Sequence, residues 1–155
     1  MTGMLDLRDR VRERTERFGL PEAVLNGCVR YLELLAAWNR RINLTALDLT
    51  SPVPVASLDK LIAEPFEAAS WLPERCVWAD IGSGGGSPAI PLKLLRSSAE
   101  LHLVESRERK CAFLRAAIRE LGLQDAVVHC ARLEDLLASE RLPPLDIVTV
   151  RAVRL

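Results

Sequence analysis

Four short apolar runs in the second half of the chain, CVWADI (76–81), ELHLVE (100–105), AVVHC (126–130) and LDIVTV (145–150), are separated by stretches with helical periodicity. Runs of this length suit buried strands, and the segments between them are long enough for helical crossovers. Parallel strands need such crossovers, whereas antiparallel ones can be joined by a tight turn. The order β-α-β-α-β-α-β therefore predicts an α/β fold with a parallel sheet. Right-handed crossovers place the strand-to-helix turns along one edge, where open sheets of this kind bind ligands.

The first half reads differently. Residues 4–18 alternate in charge, with Arg10, Arg14 and Arg17 on one helical face and a thin stripe of Met4, Val11 and Phe18 opposite. Such a face is either solvated or turned to a polyanion. Gly19 closes that helix and Pro21 opens a second over 21–42, in which Leu25, Cys28, Val29, Leu32, Leu35 and Ile42 recur at three and four. Asn39 and Asn43 are placed to cap its end. Pro52 and Pro54 interrupt the chain, and a third helix is predicted over 57–71. A helix over 107–121 buries Cys111, Leu114, Ala117, Ile118 and Leu121. The organisation expected is a helical region, 1–72, ahead of a sheet domain, 73–155.

Twenty-one basic residues balance 21 acidic ones, so total charge does not direct the chain to nucleic acid, and any such contact must come from a local patch. No apolar run is long enough to span a bilayer and no signal-peptide core begins the chain, which predicts a cytoplasmic protein with no membrane association. Cys28, Cys76, Cys111 and Cys130 form no C-x-x-C pair, and His102 and His129 stand in no ligand spacing with them, so no metal site is expected.

After the first strand comes ADIGSGGGSPAIP (79–91), a glycine-rich turn of the sort that lets a ligand approach the main chain. A P-loop is excluded, because no Gly-Lys-Ser/Thr follows. A dinucleotide and S-adenosylmethionine remain. The G-x-G-x-x-G spacing fails strictly, since Ser87 follows Gly82 and Gly84 at the third position. Asp80 discriminates: a carboxylate there repels a pyrophosphate and attracts the ammonium of S-adenosylmethionine. Glu105, which ends the second strand nineteen positions after Gly86, suits the two hydroxyls of a ribose and fits either ligand. ARLED, beyond the third strand, puts Leu133 and Glu134 where an adenine ring is held in such folds.

The set YLELLAAWNRRINLTAL, WADIGSGGGSPAIPLKLL, LHLVESRERKCAFLRAAIRELGL, CARLEDL and DIVTVRAV resembles the bacterial ribosomal RNA small-subunit methyltransferase G family, also called glucose-inhibited division protein B, over about residues 20–153. The resemblance implies a Rossmann-like S-adenosylmethionine-dependent methyltransferase fold with an N-terminal helical extension. It implies N7-methylation of a guanine in 16S ribosomal RNA of the small ribosomal subunit, by a monomer. Cofactor contacts carry over to Gly82, Ser87, Leu133, Glu134 and Arg151, while Asp80, Gly84 and Glu105 match the general methyltransferase pattern. Arg151 is expected to orient either the donor's carboxylate or an RNA phosphate. Candidate RNA contacts are Arg10, Arg14 and Arg17, Arg40 and Arg41, and Lys110, Arg115 and Arg119.

The chain departs from the family at Ser87, where a bulky residue is usual, at Ala89, usually glycine, and at 56–61, where a histidine-containing stretch is usual. The family continues past the position of Leu155 by about three more strands, which leaves the fourth strand here as an expected sheet edge. Two other readings stand beside the family one: a methyltransferase for another RNA or a small molecule, and a non-catalytic relic of the fold.

Overall fold

The computed structural model describes residues 2–151, with side chains described from Leu7 onward, so the Met4 side chain and the residues after Arg151 lie outside the described set. Helices α1 (Thr2–Thr15) and α2 (Glu22–Asn39) come first. Gly19 ends the first segment in the left-handed conformation, φ +59°, which its missing Cβ permits. A broken helical stretch follows: α3 (Val55–Leu58), a π turn over Asp59–Ala63, and α4 (Glu64–Glu67). Strands β1 (Val77–Ile81), β2 (Glu100–Glu105), β3 (Ala126–Cys130) and β4 (Ile147–Val150) then alternate with α5 (Ala89–Leu95), α6 (Glu108–Leu121) and α7 (Leu133–Ala138).

The four strands form one sheet in the order β3-β2-β1-β4, and every pairing is parallel. The α/β class and the crossovers expected from the sequence are therefore present. The chain winds outward from β1 through β2 to β3, then returns to the other side of β1. That reversal leaves the crevice between the carboxyl ends of β1 and β4 uncovered by a crossover helix, which is where such sheets take ligands.

The central strands are the most enclosed: Trp78, Ala79, Leu101 and Leu103 have no exposed surface. The edge strands alternate, so that Ile147 packs on the core while Val148 and Val150 remain 53% and 55% exposed. Helix α2 lies across α5 and α6 with its Leu25, Cys28, Leu32 and Leu35 face buried. Gly27 lets it approach α5, since a Cβ there would come within 2.7 Å of a Leu94 methyl. One hydrophobic cluster runs from Val11 and Leu32 through Phe66 to Trp78, Leu103 and Phe113, and so joins the N-terminal helices to the sheet.

Trp38, at the end of α2, meets Phe113 of α6 edge to face, with ring centroids 5.8 Å apart. Phe113 is fully buried. Replacing Phe113 with Ala removes both the transfer energy and the contact across the two halves, and is expected to lower stability by about 3–5 kcal/mol in urea unfolding.

Candidate functional site

The glycine loop leaves β1 and is first tied to β2: the amides of Gly82 and Ser83 both donate to the Val104 carbonyl, at 2.8 and 3.1 Å. The Glu105 carboxylate then closes over it. One oxygen, Oε1, accepts the Gly84 amide at 2.9 Å, and Oε2 accepts the Arg107 amide at 2.9 Å. Glu105 is only 7% exposed, and two backbone donors supply what its ionised form needs when most water is removed. Each oxygen keeps a further lone pair for another donor.

The glycines have separate tasks. Gly84 sits at φ +51°, and a Cβ there would meet nothing nearer than the Gly82 carbonyl at 3.8 Å, so its absent side chain opens onto the crevice. Gly85 instead packs against the N-terminal helices, with the Leu44 carbonyl 3.2 Å from where a Cβ would stand.

Three tethers hold the other side of the loop, all from residues far away in sequence. The hydroxyl of buried Tyr31, on α2, donates to the Gly85 carbonyl at 2.5 Å. Ser87 donates to the Leu61 carbonyl at 2.9 Å. Arg151, immediately after β4, donates to the Lys60 carbonyl at 2.8 Å, to the Ser87 hydroxyl at 3.2 Å and to the Glu64 carboxylate at 2.8 Å.

The broken helix makes the last two tethers possible. Pro65 has no N–H, so the Leu61 carbonyl four residues earlier lacks its α-helical donor, and Ser87 supplies one. In the π turn the Glu64 amide donates to the Asp59 carbonyl instead of to Lys60, which leaves the Lys60 carbonyl for Arg151.

Asp80 lies under the loop, 2% exposed. The Trp78 indole donates to the Thr149 hydroxyl at 2.9 Å, and that hydroxyl donates to Asp80 Oδ1 at 2.5 Å. Parallel pairing sets this up, because Asp80 stands opposite Thr149 in the register. Burial pushes the Asp80 carboxyl up to about 6, and the Thr149 bond opposes the shift only partly.

Of the residues singled out in the sequence, Gly82, Gly84, Ser87 and Arg151 line one cleft of about 430 Å³ together with Thr45 and Lys60. Glu105 is bonded to that loop. Asp80 is not in the lining but beneath it. Leu133 and Glu134 begin α7 after β3, on the far side of Glu105 from the cleft, as the strand order requires. Along the sheet edge the order is thus Arg151, glycine loop, Glu105, then Leu133 and Glu134.

Tyr31, Lys60, Leu61 and Glu64 escaped the sequence reading. Tyr31 falls on the buried face of an amphipathic helix and looks there like any core aromatic. The carbonyls of Lys60 and Leu61 are backbone groups, and Pro65 was the one signal that pointed to them. Asn39 acts as a local cap: its side-chain oxygen accepts the Leu44 and Thr45 amides at 2.9 and 3.1 Å. The basic face of α1 is largely neutralised within the chain, as Arg14 pairs with Asp59 and Arg17 with Glu67.

Comparison with known proteins shows the family and the fold. The family model described as rRNA small subunit methyltransferase G matches residues 25–155. The chain is 38% identical over 137 residues to the ribosomal RNA small subunit methyltransferase G of Dichelobacter nodosus, covering 88% of this chain and 61% of that protein. It is 43% identical over 126 residues to the protein of the same name from Roseiflexus sp., covering 80% and 52%. For that of Stenotrophomonas maltophilia the identity is 40% over 136 residues, covering 87% and 60%. The chain therefore spans between about half and three-fifths of the length of these relatives. Among solved structures, a protein-L-isoaspartate O-methyltransferase superposes with a TM-score of 0.54 at 12% identity, covering 92% of this chain and 47% of that one, a likeness of fold.

The raised Asp80 carboxyl has a consequence for stability. Its folded value of about 6 lies above the ordinary 3.8, so the fold favours the neutral acid. Its contribution is fully present below about pH 4 and is lost as pH rises through 6. Asp80→Asn, which keeps an oxygen for the Thr149 hydroxyl, is expected to be more stable than the parent by about 2–3 kcal/mol at pH 8. The two should unfold alike near pH 3.5, in melts followed by circular dichroism.

Proposed function

The chain belongs to the rRNA small subunit methyltransferase G family, and from that premise we propose that it binds S-adenosylmethionine at the glycine loop and serves N7-methylation of a guanine in 16S ribosomal RNA. Residues 73–155 form the donor-binding part in this reading, and the helical region 1–72 braces the loop. The setting is the cytoplasm, where the ribosomal small subunit is its substrate.

The observation that carries the reading is the bond between the Gly84 amide and Glu105. It joins the ends of β1 and β2 at one point, with a carboxylate that still has acceptor capacity beside a glycine whose open side faces the crevice. That is what a nucleoside needs: ribose hydroxyls donating to Glu105, and the rest of the molecule passing over a backbone with no side chain in the way. Leu133 and Glu134 stand on the side of Glu105 where the adenine would lie. Arg151, Ser87 and the loop stand on the side of the amino acid moiety, with Asp80 beneath contributing negative charge toward its ammonium.

When bound, the donor supplies an electrophilic methyl group on a sulfonium. Guanine N7 carries an in-plane lone pair and loses no proton before it attacks, so the chain needs no general base. What its residues contribute is alignment of the reacting groups and exclusion of water, an effect worth several orders of magnitude. Arg151 is already held in position by Lys60, Ser87 and Glu64, and its remaining N–H groups serve a carboxylate or a phosphate at the rim.

Calorimetric titration of the chain with S-adenosylmethionine is expected to show saturable binding with one site. Glu105→Ala removes the acceptor for both the loop amides and the ribose and should weaken that binding at least tenfold; a folded parent that releases no heat contradicts the reading. The RNA step is tested by base-resolved mapping of N7-methylguanine in 16S ribosomal RNA from cells with and without the gene. One guanine is expected to lose its methyl group, and an unchanged map would point to another substrate.

A further inference from the structure

A second cleft, of about 740 Å³, opens between the end of α2 and the start of α6. Its lining sets Arg41 and Asn43 against Arg107, Arg109 and Lys110, with Glu108 as the one acid among them. Arg41, Arg107 and Arg109 are exposed and Lys110 is half-buried. Among the described residues, none of these four cations makes an ion pair. Other described cations, Arg75, Arg115, Arg119 and Arg132 among them, also lack an ion pair but do not line this cleft; near the N-terminus, by contrast, Arg8 and Arg12 are paired with Glu22, Arg14 with Asp59 and Arg17 with Glu67.

Four cations against one carboxylate, brought together from segments more than sixty residues apart in sequence, repel one another and destabilise the free protein. Three of them also crowd the start of α6, the end of a helix at which positive charge is unfavourable. A negatively charged group in the cleft reverses both effects. The spread of the cations along an open surface suits a row of phosphates better than one enclosed anion. The cleft adjoins the candidate donor site directly, because the residue that bears one of its cations, Arg107, gives its amide to Glu105 Oε2 at 2.9 Å.

We propose that this cleft docks the phosphate backbone of the RNA substrate, with Arg41 and Arg109 as phosphate contacts, so that the strand passes beside Glu105 on its way to the methyl donor. The inference rests on the methyl-transfer reading above for its substrate. The basic N-terminal segment, in which Arg8, Arg12, Arg14 and Arg17 already have acidic partners, takes no part in this docking.

The test is the salt dependence of binding of a labelled single-stranded segment of 16S ribosomal RNA to the full chain. Each phosphate contact contributes about 0.7 to the slope of log affinity against log salt for a single strand. Arg41→Ala with Arg109→Ala is expected to reduce that slope by about 1.4 and to weaken binding at least tenfold near ~0.1 M salt. Arg41→Lys with Arg109→Lys should keep the slope, and Arg17→Ala should leave slope and affinity unchanged. Circular dichroism and calorimetric titration with S-adenosylmethionine, done on every variant, show that the fold and the donor site survive. An unchanged slope in the double alanine variant, or an equal fall in Arg17→Ala, overturns the proposal. If the parent binds RNA in this pattern but binds no S-adenosylmethionine, the methyl-transfer reading fails and the docking cleft stands.

Discussion

The carboxylate of Glu105 organises this molecule more than any other single group. It is nearly removed from water at the end of the central strand β2, and an ion so placed must be met by donors. The amides of Gly84 and Arg107 meet it, and in doing so they fix the glycine loop after β1 and the start of α6 relative to each other. Two crossovers thereby share one anchor at the carboxyl edge of the sheet. The shape of the crevice, and the side of it on which each candidate contact falls, follow from that anchor and from the return of β4 to the side of β1.

A loop rich in glycine has much freedom to lose, so it needs more than one restraint. The helical region supplies the others. Tyr31 reaches the Gly85 carbonyl, and the break between α3 and α4 exposes the carbonyls that receive Ser87 and Arg151. The irregularity is thus put to use: a regular α-helix over this stretch would have consumed the Lys60 carbonyl internally and left Arg151 without that partner, while Pro65 frees the Leu61 carbonyl for Ser87 in either case. The N-terminal helices are then not merely an appendage, since they share the core with the sheet and set the position of its ligand-facing turn.

Much of this was legible beforehand. The strands could be read because short apolar runs and crossover-length gaps are local properties; ELHLVE and AVVHC coincide with β2 and β3, and the helix expected over 107–121 coincides with α6 to within a residue. Glu105 and the glycines were visible because position after a strand gives them meaning. Strand order was not legible, since nothing local in LDIVTV says which side of β1 it joins. Nor was Tyr31, because hydrophobic periodicity explains its burial without reference to its hydroxyl. The pairing of the basic residues also required the fold: Arg14 and Arg17 look like an open cationic face in sequence, and only tertiary packing brings Asp59 and Glu67 to them. Asp80 was identified as a carboxylate at the strand end, but its burial under the loop and its bond to Thr149 depend on a strand 69 residues away.

The central claim is that Glu105 and the loop it anchors hold the nucleoside of the methyl donor. A crystal structure of the chain with S-adenosylmethionine tests it most directly. Both ribose hydroxyls are expected within about 3 Å of the Glu105 carboxylate, with the Gly84 and Arg107 amide bonds retained and the amino acid end directed toward Arg151. A nucleoside bound elsewhere, or a Glu105 that keeps only its two backbone partners while the donor occupies another part of the surface, would contradict it.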